Sequence, residues 1–140
     1  MDAPSADELL TNPVVRAALE QAWQDSMPED PILRCEEGGW FYVDVRTGEI
    51  AVRRAPSGGQ AVLDLSSPPA VPGKAVVATF HTHPNPSAEG WDPRPSAEDT
   101  ASAWLLGLPC IIRSDEGIYT TGPSAPRSGH ATPDGSASHP

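Results

Sequence analysis

The sequence contains little cysteine and no long apolar run. Its 140 residues include only two cysteines, Cys35 and Cys110, and their spacing matches no CxxC motif. Two thiols are too few for a disulfide-rich scaffold, so we interpret both as reduced and buried. No stretch approaches the roughly 20 apolar residues of a membrane-spanning helix, and the first ten residues already carry three acidic side chains. The sequence therefore predicts a cytoplasmic protein without a membrane span.

Basic side chains are also scarce. Nine Lys and Arg residues face nineteen Asp and Glu residues, which gives a formal net charge of −10 at pH 7. Such an acidic surface repels phosphate groups, so nucleic acids and anionic membranes are poor candidate partners. A protein partner is expected instead, and the acidic surface favours a basic face on that partner.

The larger apolar residues all precede position 122. Leu, Ile, Val and Phe together make up 25 of the 140 residues, about 18%, which is below the ~20% at which highly charged chains tend to stay disordered. Segment 122–140 contains none of these four residue types and is rich in Gly, Pro and Ser, which predicts a disordered tail. Its two histidines, His130 and His139, are interpreted as solvated. The length then predicts a single folded domain over residues 1–121.

The patterns within this domain predict a small layered α/β or α+β fold. Helical spacing of apolar residues extends from residue 5 to about 26, and Asn12-Pro13 is expected to divide it into two helices. A further helix is predicted over residues 96–106. Runs rich in β-branched, aromatic or other apolar residues predict strands at 40–45, 50–54, 61–65, 75–80, 110–113 and 117–121. Strands on both sides of a helix, with another helix at the start, indicate a sheet flanked by helices.

A His-Thr-His sequence directly follows the most apolar of these strands. Residues i and i+2 of a strand point to the same face about 7 Å apart, so His81 and His83 could bind one metal ion. Asp99, in the first turn of the next helix, could add a carboxylate ligand. Ser96 followed three residues later by an acid also resembles a capping box, which would be a purely structural role. The two interpretations are compatible.

Two imidazoles and one carboxylate form a donor set that suits a catalytic zinc ion. Three protein ligands leave one position of a tetrahedral zinc open, whereas structural sites are closed by four. Hydrolysis at such a site still needs a general base to move the proton of the attacking water. Glu36 or Glu37 could be that base, because both precede Gly38-Gly39, where another backbone can approach closely.

The order of these motifs resembles the JAMM (MPN+) zinc metalloproteases, and bacterial members in particular. The match consists of a glutamate before Gly38-Gly39, the HxHP motif at 81–84 and the SxxD motif at 96–99, and it spans most of residues 32–122. The resemblance implies an MPN/JAB-like (cytidine-deaminase-like) fold with a central, mixed, curved sheet flanked by helices.

The resemblance also implies a role for each motif residue. His81, His83 and Asp99 would bind Zn²⁺, Glu36 would act as the catalytic base, and Ser96 would help to stabilise the oxyanion. The implied activity is hydrolysis of a peptide or isopeptide bond, as in deubiquitinases, often at the C terminus of ubiquitin or a ubiquitin-like protein. The alternative is a non-catalytic scaffold or protein-binding domain of the same fold, the role of family members that lack the ligands.

The choice of glutamate stays open at this point. Family members commonly have the glutamate of an ExGG pattern three residues before the second glycine, which favours Glu36 over Glu37. Adjacent residues of a strand point to opposite faces, so only one of the two can reach the metal.

The third ligand is open as well, because this chain departs from the family in one place. Members usually have a shorter connection between the HxHP and SxxD motifs than segment 85–95, which has eleven residues here. The segment contains Asp92, but Asp92 precedes a proline in a predicted loop, so Asp99 is preferred. The same loop carries Trp91, which could either contact an extended substrate or fold back onto the domain.

Overall fold

The computed structural model describes residues 3–127, which form three α-helices and a five-stranded sheet. A short 3₁₀ turn at Ser87–Glu89 precedes the third helix. In chain order the elements are α1 (Ala6–Leu10), α2 (Pro13–Asp25), β1 (Gly38–Asp44), β2 (Ile50–Arg54), β3 (Lys74–His83), α3 (Ala97–Leu106), β4 (Cys110–Ser114) and β5 (Gly117–Thr121).

The sheet is mixed, with strand order β2-β1-β3-β4-β5. Only the pair β3 and β4 is parallel, and α3 lies in the connection between them. A parallel pair needs such a crossover, because the chain must return to the same end of the sheet. The predicted fold class, a layered α/β domain with a mixed sheet and helices packed against it, is therefore confirmed.

Two faces of the sheet are covered by different parts of the chain. Helices α1 and α2 pack Leu9, Val15 and Leu19 onto Phe41 and Phe80, whose stacked rings have centroids 4.4 Å apart. This cluster is fully buried and is the main core. There are two smaller clusters. In one, Leu63 and Leu65 pack against Trp40 and Tyr42, and in the other, Ala103 of α3 packs with Cys110 and Ile112.

Most of the predicted elements are confirmed, and one is wrong. Asn12 caps α2, its side-chain oxygen accepting the Val14 N–H at 2.8 Å, and the preceding helix ends as expected. The strand predicted at 61–65 does not form, since this segment is irregular. Its side chains cover the sheet instead of extending it, and the Leu65 carbonyl accepts a hydrogen bond from Trp40 Nε1 at 3.0 Å. Of the apolar residues that suggested a strand, Leu63 and Leu65 form this packing, whereas Val62 is exposed.

The packed part of the chain extends beyond the predicted end of the domain at residue 121. The Ala6 N–H donates to the Ser124 carbonyl at 2.8 Å, and the Arg127 N–H donates to the Gly107 carbonyl at 2.8 Å. Residues 122–127 of the predicted tail therefore dock on the domain through backbone hydrogen bonds, which a composition-based prediction does not detect. The rest of that prediction, including His130 and His139, lies outside the described residues.

The structure also describes the two cysteines and the length of the apolar helices. Both cysteines are free thiols; Cys110 is buried and Cys35 is partly exposed. Within residues 3–127, no helix is long and apolar enough to cross a bilayer.

Candidate metal centre

The two histidines of the HxHP motif point to the same side of the sheet, as the strand period predicts. Strand β3 continues through His83, so His81 and His83 occupy alternate positions at its carboxyl end. Their Nε2 atoms lie 3.3 Å apart. Thr82, between them, points to the opposite face, where its hydroxyl contacts Ser26 at the end of α2. The Nδ1 atom of His81 faces the Cys110 thiol at 3.8 Å, so the Nε2 atom of His81 is the one directed at His83.

Asp99 joins this pair from the first turn of α3. Ser96 is the N-cap of that helix: its hydroxyl accepts the Asp99 N–H at 3.0 Å, and its own N–H donates to Asp99 Oδ2 at 2.8 Å. This capping box orients the carboxylate toward β3. Oδ1 lies 3.3 Å from His81 Nε2 and Oδ2 lies 3.2 Å from His83 Nε2. The capping role and the ligand position therefore coexist in one side chain.

The spacing of these atoms fits a small tetrahedral cation. Bonds of about 2.0–2.1 Å at a tetrahedral angle place ligand atoms roughly 3.3–3.4 Å apart. The distances between Nε2 of His81, Nε2 of His83 and the Asp99 oxygens are 3.2 to 3.3 Å. Among the described residues, these three side chains form the group of potential ligands that converges on one point. Two neutral imidazoles and a carboxylate at this spacing could hold a divalent metal ion.

The electrostatics of the cluster favour binding of positive charge. Burial raises the pKa of Asp99, but hydrogen bonds from His81 and His83 outweigh it and hold this pKa well below its usual range. Burial lowers the pKa of His81, yet the Asp99 carboxylate and Cys110 outweigh that effect and raise it. Without a metal ion the imidazole of His81 thus retains its second proton more readily than a free histidine. A metal ion would displace that proton, so its affinity should fall at acidic pH.

Glu36 lies beside the cluster because of the glycine pair that follows it. Gly38 pairs with His81 in the antiparallel register of β1 and β3. Continuing this register by two residues brings Glu36 opposite His83. A Cβ atom at Gly38 would collide with the Phe80 carbonyl oxygen, so the two strands can approach this closely only at glycine.

The carboxylate of Glu36 lines a cavity of about 380 Å³ together with His83, Ser96 and Asp99. Glu36 is only 7% exposed. Burial raises its pKa above the ordinary value, although His81 and His83 act in the opposite direction. A carboxylate with a raised pKa at the wall of a polar cavity has the properties required of a general base.

Glu37 points away from this cavity. It forms an ion pair with Arg54, and the Cys35 thiol contacts its Oε2 atom at 3.3 Å. Of the two glutamates that the sequence could not separate, the structure therefore places Glu36 at the cluster.

Asp92, the other candidate ligand, is turned toward solvent. Its carboxylate pairs with Arg94 through two contacts of 3.0 Å, and its side chain is 58% exposed. The loop that carries it is anchored at its start, where Glu89 pairs with Arg34 at 2.9 Å. Trp91 lines the cavity and is 44% exposed, so it lies on the wall rather than in the core.

A second cavity, of about 230 Å³, adjoins the first. Both are lined by Leu63, Asp99 and Ser102, and the second also contacts His81. Its remaining wall is largely apolar and includes Leu105 and Leu106. The two cavities thus share part of their walls beside the metal cluster, and we refer to them together as the groove. The sequence patterns did not predict this groove, because segment 61–65 was interpreted as a strand and not as a wall of a cavity. The Pro and Gly residues on both sides of the segment were the signal for an irregular conformation.

Comparison with known proteins finds no match to a family model, a curated protein or a solved structure. What supports the resemblance to the JAMM proteases is therefore the three short motifs and the geometry of their side chains.

Proposed function

We propose that this protein is a JAMM-type metallopeptidase or isopeptidase that uses Zn²⁺ at His81, His83 and Asp99. The observation that carries the proposal is that the Nε2 atoms of His81 and His83 lie 3.3 Å apart and each lies 3.2 to 3.3 Å from a different oxygen of Asp99, with Glu36 on the wall of the same cavity. A two-histidine, one-carboxylate donor set suits zinc and leaves one position for substrate or water. A zinc ion held there supplies a Lewis acid for the carbonyl group and the water molecule that react.

Glu36 is the proton carrier in this proposal. Water adds to the carbonyl carbon of the peptide bond while the Glu36 carboxylate accepts one of its protons. The same carboxyl group then gives that proton to the departing amine as the C–N bond breaks. The products are a carboxylic acid and an amine, which become a carboxylate and an ammonium ion when the acid gives up the second water proton, and Glu36 ends the cycle unprotonated. Its raised pKa suits both steps, because the group must gain and lose a proton near neutral pH.

Ser96 is proposed to stabilise the developing oxyanion. Its oxygen accepts the Asp99 N–H in the helix cap, and this bond leaves the hydroxyl proton free to donate into the cavity that the serine lines. A hydrogen bond that strengthens as the carbonyl oxygen gains charge lowers the barrier to addition.

The shape of the groove favours an extended polypeptide as substrate. Two cavities adjoin at Asp99, one polar and bounded by Trp91, the other largely apolar and bounded by Leu105 and Leu106. An extended chain can pass the metal cluster through both. We therefore propose a flexible C terminus as substrate, such as that of a ubiquitin-like protein or its conjugate. We also propose that the fold belongs to the MPN/JAB-like class, which the motif resemblance and the mixed sheet support.

The test combines metal analysis with cleavage of ubiquitin-like fusion proteins. We expect one zinc per chain, cleavage by the wild type, and loss of cleavage with retained zinc in Glu36→Gln. Glu49→Gln is the matched control, because Glu49 is exposed in the turn between β1 and β2, lines neither cavity and has no ion pair within residues 3–127. Full activity in Glu36→Gln would remove Glu36 from the mechanism. Bound zinc without cleavage of any fusion would favour the scaffold alternative.

A further inference from the structure

We infer that Glu37 is a positioning residue that directs Glu36 toward the metal ligands, through an ion pair with Arg54 and backbone bonds to Thr82. This inference rests on the function proposed above. It concerns a residue that the motif resemblance leaves without a role.

The two adjacent glutamates are both buried, with exposed fractions of 7% for Glu36 and 5% for Glu37. A buried carboxylate is costly unless a cation compensates its charge. Within residues 3–127, Glu37 has such a partner in Arg54, whereas Glu36 has no ion pair with Lys or Arg. The permanent cation therefore lies on the Glu37 side of the segment, and the metal cluster offers compensation on the Glu36 side.

Arg54 is itself held in place at the end of β2. It pairs with Gly39 in the register of β1 and β2, and its Nη1 atom contacts Asp25 Oδ2 of α2 at 2.9 Å. The thiol of Cys35 adds a contact to the other oxygen of Glu37 at 3.3 Å. The Glu37 carboxylate thus meets groups from β2 and from its own loop.

The backbone of Glu37 is bound to the strand that carries the histidines. Its carbonyl accepts the Thr82 N–H at 2.9 Å, and its N–H donates to the Thr82 hydroxyl at 3.1 Å. That hydroxyl lies 2.5 Å from the Ser26 hydroxyl, which also donates to the Ala22 carbonyl. Thr82 stands between the two proposed ligands, so these bonds couple the position of the glutamate segment directly to that of His81 and His83.

These contacts of Glu37 fix the direction in which the Glu36 side chain points. With both the side chain and the backbone of residue 37 held, the alternation of side chains leaves residue 36 facing the cavity. Residues that orient a metal site in this indirect way typically change activity or metal affinity by 10–100-fold when they are replaced.

The test is Glu37→Gln, which removes the charge but keeps the size of the side chain. We expect kcat to fall about tenfold while KM and zinc content stay unchanged. Arg54→Gln should have the same effect, and Arg54→Lys, which keeps the positive charge, should restore part of it. Glu20→Gln is the control, because it breaks a comparable ion pair, with Arg113, on the exposed side of α2.

A second measurement does not depend on activity. In protein loaded with paramagnetic cobalt(II) and labelled in the glutamate carboxyl carbons, broadening of the Glu36 signal reports its distance from the metal. The Glu36 signal is identified by its absence in Glu36→Gln. We expect strong broadening in the wild type and clearly weaker broadening in Glu37→Gln.

The outcomes separate the two hypotheses. Equal broadening and equal kcat in the wild type and Glu37→Gln would overturn the role of Glu37 while leaving the proposed function intact. Loss of metal and of thermal stability in both Glu37→Gln and Arg54→Gln, with no specific change in kcat, would make the ion pair structural and also overturn it. A wild-type protein that binds neither zinc nor cobalt would overturn the proposed function and this inference together.

Discussion

Replacing Asp99 by asparagine separates the two roles of this side chain. Asparagine at the same position keeps an oxygen that can accept the Ser96 N–H, a bond of 2.8 Å in the wild type, so the cap of α3 should largely persist. It removes the negative charge that lies 3.2 to 3.3 Å from both imidazoles. We therefore expect weak metal binding in a protein that still folds.

The magnitude follows from the number of ligands. Structural zinc sites with four ligands bind with about 10–16 kcal/mol, which is roughly 2.5–4 kcal/mol for each ligand. Loss of one of three ligands should then weaken zinc binding about 100–1000-fold. At a zinc concentration near 1,000 times the wild-type Kd, the wild type gains about 4 kcal/mol of stability from zinc, and the variant gains little.

The assay is a competitive zinc titration against a chromophoric chelator, with thermal unfolding measured at several zinc concentrations. Asp92→Asn is the matched control, since this exposed carboxylate pairs with Arg94 outside the cluster. It should bind zinc like the wild type. Wild-type zinc affinity in Asp99→Asn would contradict the assignment of Asp99 as a ligand. An equally large loss of zinc affinity in Asp92→Asn would contradict it as well.

Three further predictions concern the groove and the proton carrier. Ser96→Ala and Ser5→Ala each remove the serine of a capping box and should each cost about 1 kcal/mol of stability, but only Ser96→Ala should lower kcat, by roughly tenfold or more; equal rates would exclude Ser96 from catalysis. Trp91→Ala should raise KM for a peptide substrate by about fivefold to tenfold with little change in kcat, and an unchanged KM would place Trp91 outside the binding surface. Burial raises the pKa of Glu36 above its ordinary 4.5 in the protein without metal, so the Glu36 carboxyl carbon of that form, followed by NMR, should take up its proton as the pH falls through a value above 4.5; a midpoint at or below pH ~4.5 would contradict this.

Local patterns were sufficient for several parts of the site. The period of a strand placed His81 and His83 on one face, and the spacing of Ser96 and Asp99 predicted the capping box that the structure contains. The division of the first helix at Asn12 followed from the same kind of signal. Each of these features depends on residues within a few positions of one another, where geometry is set by the backbone itself.

Other assignments needed contacts between distant parts of the chain. The ExGG pattern favours Glu36 over Glu37 without deciding between them, and the two differ in the fold because Arg54 lies on only one side of their segment. Segment 61–65 has the composition of a strand, but it covers Trp40 and Tyr42 with side chains instead of pairing its backbone.

Local sequence patterns thus predicted most of the helices and strands, and the three side chains that lie together as candidate metal ligands. The tertiary structure decided which of two glutamates and which of two aspartates face the histidines, that a groove lies beside them, and that residues 122–127 dock on the domain. The physical reason is that the direction of a buried charged side chain is set by its counter-charge and by strand register, and both come from residues far away in the chain.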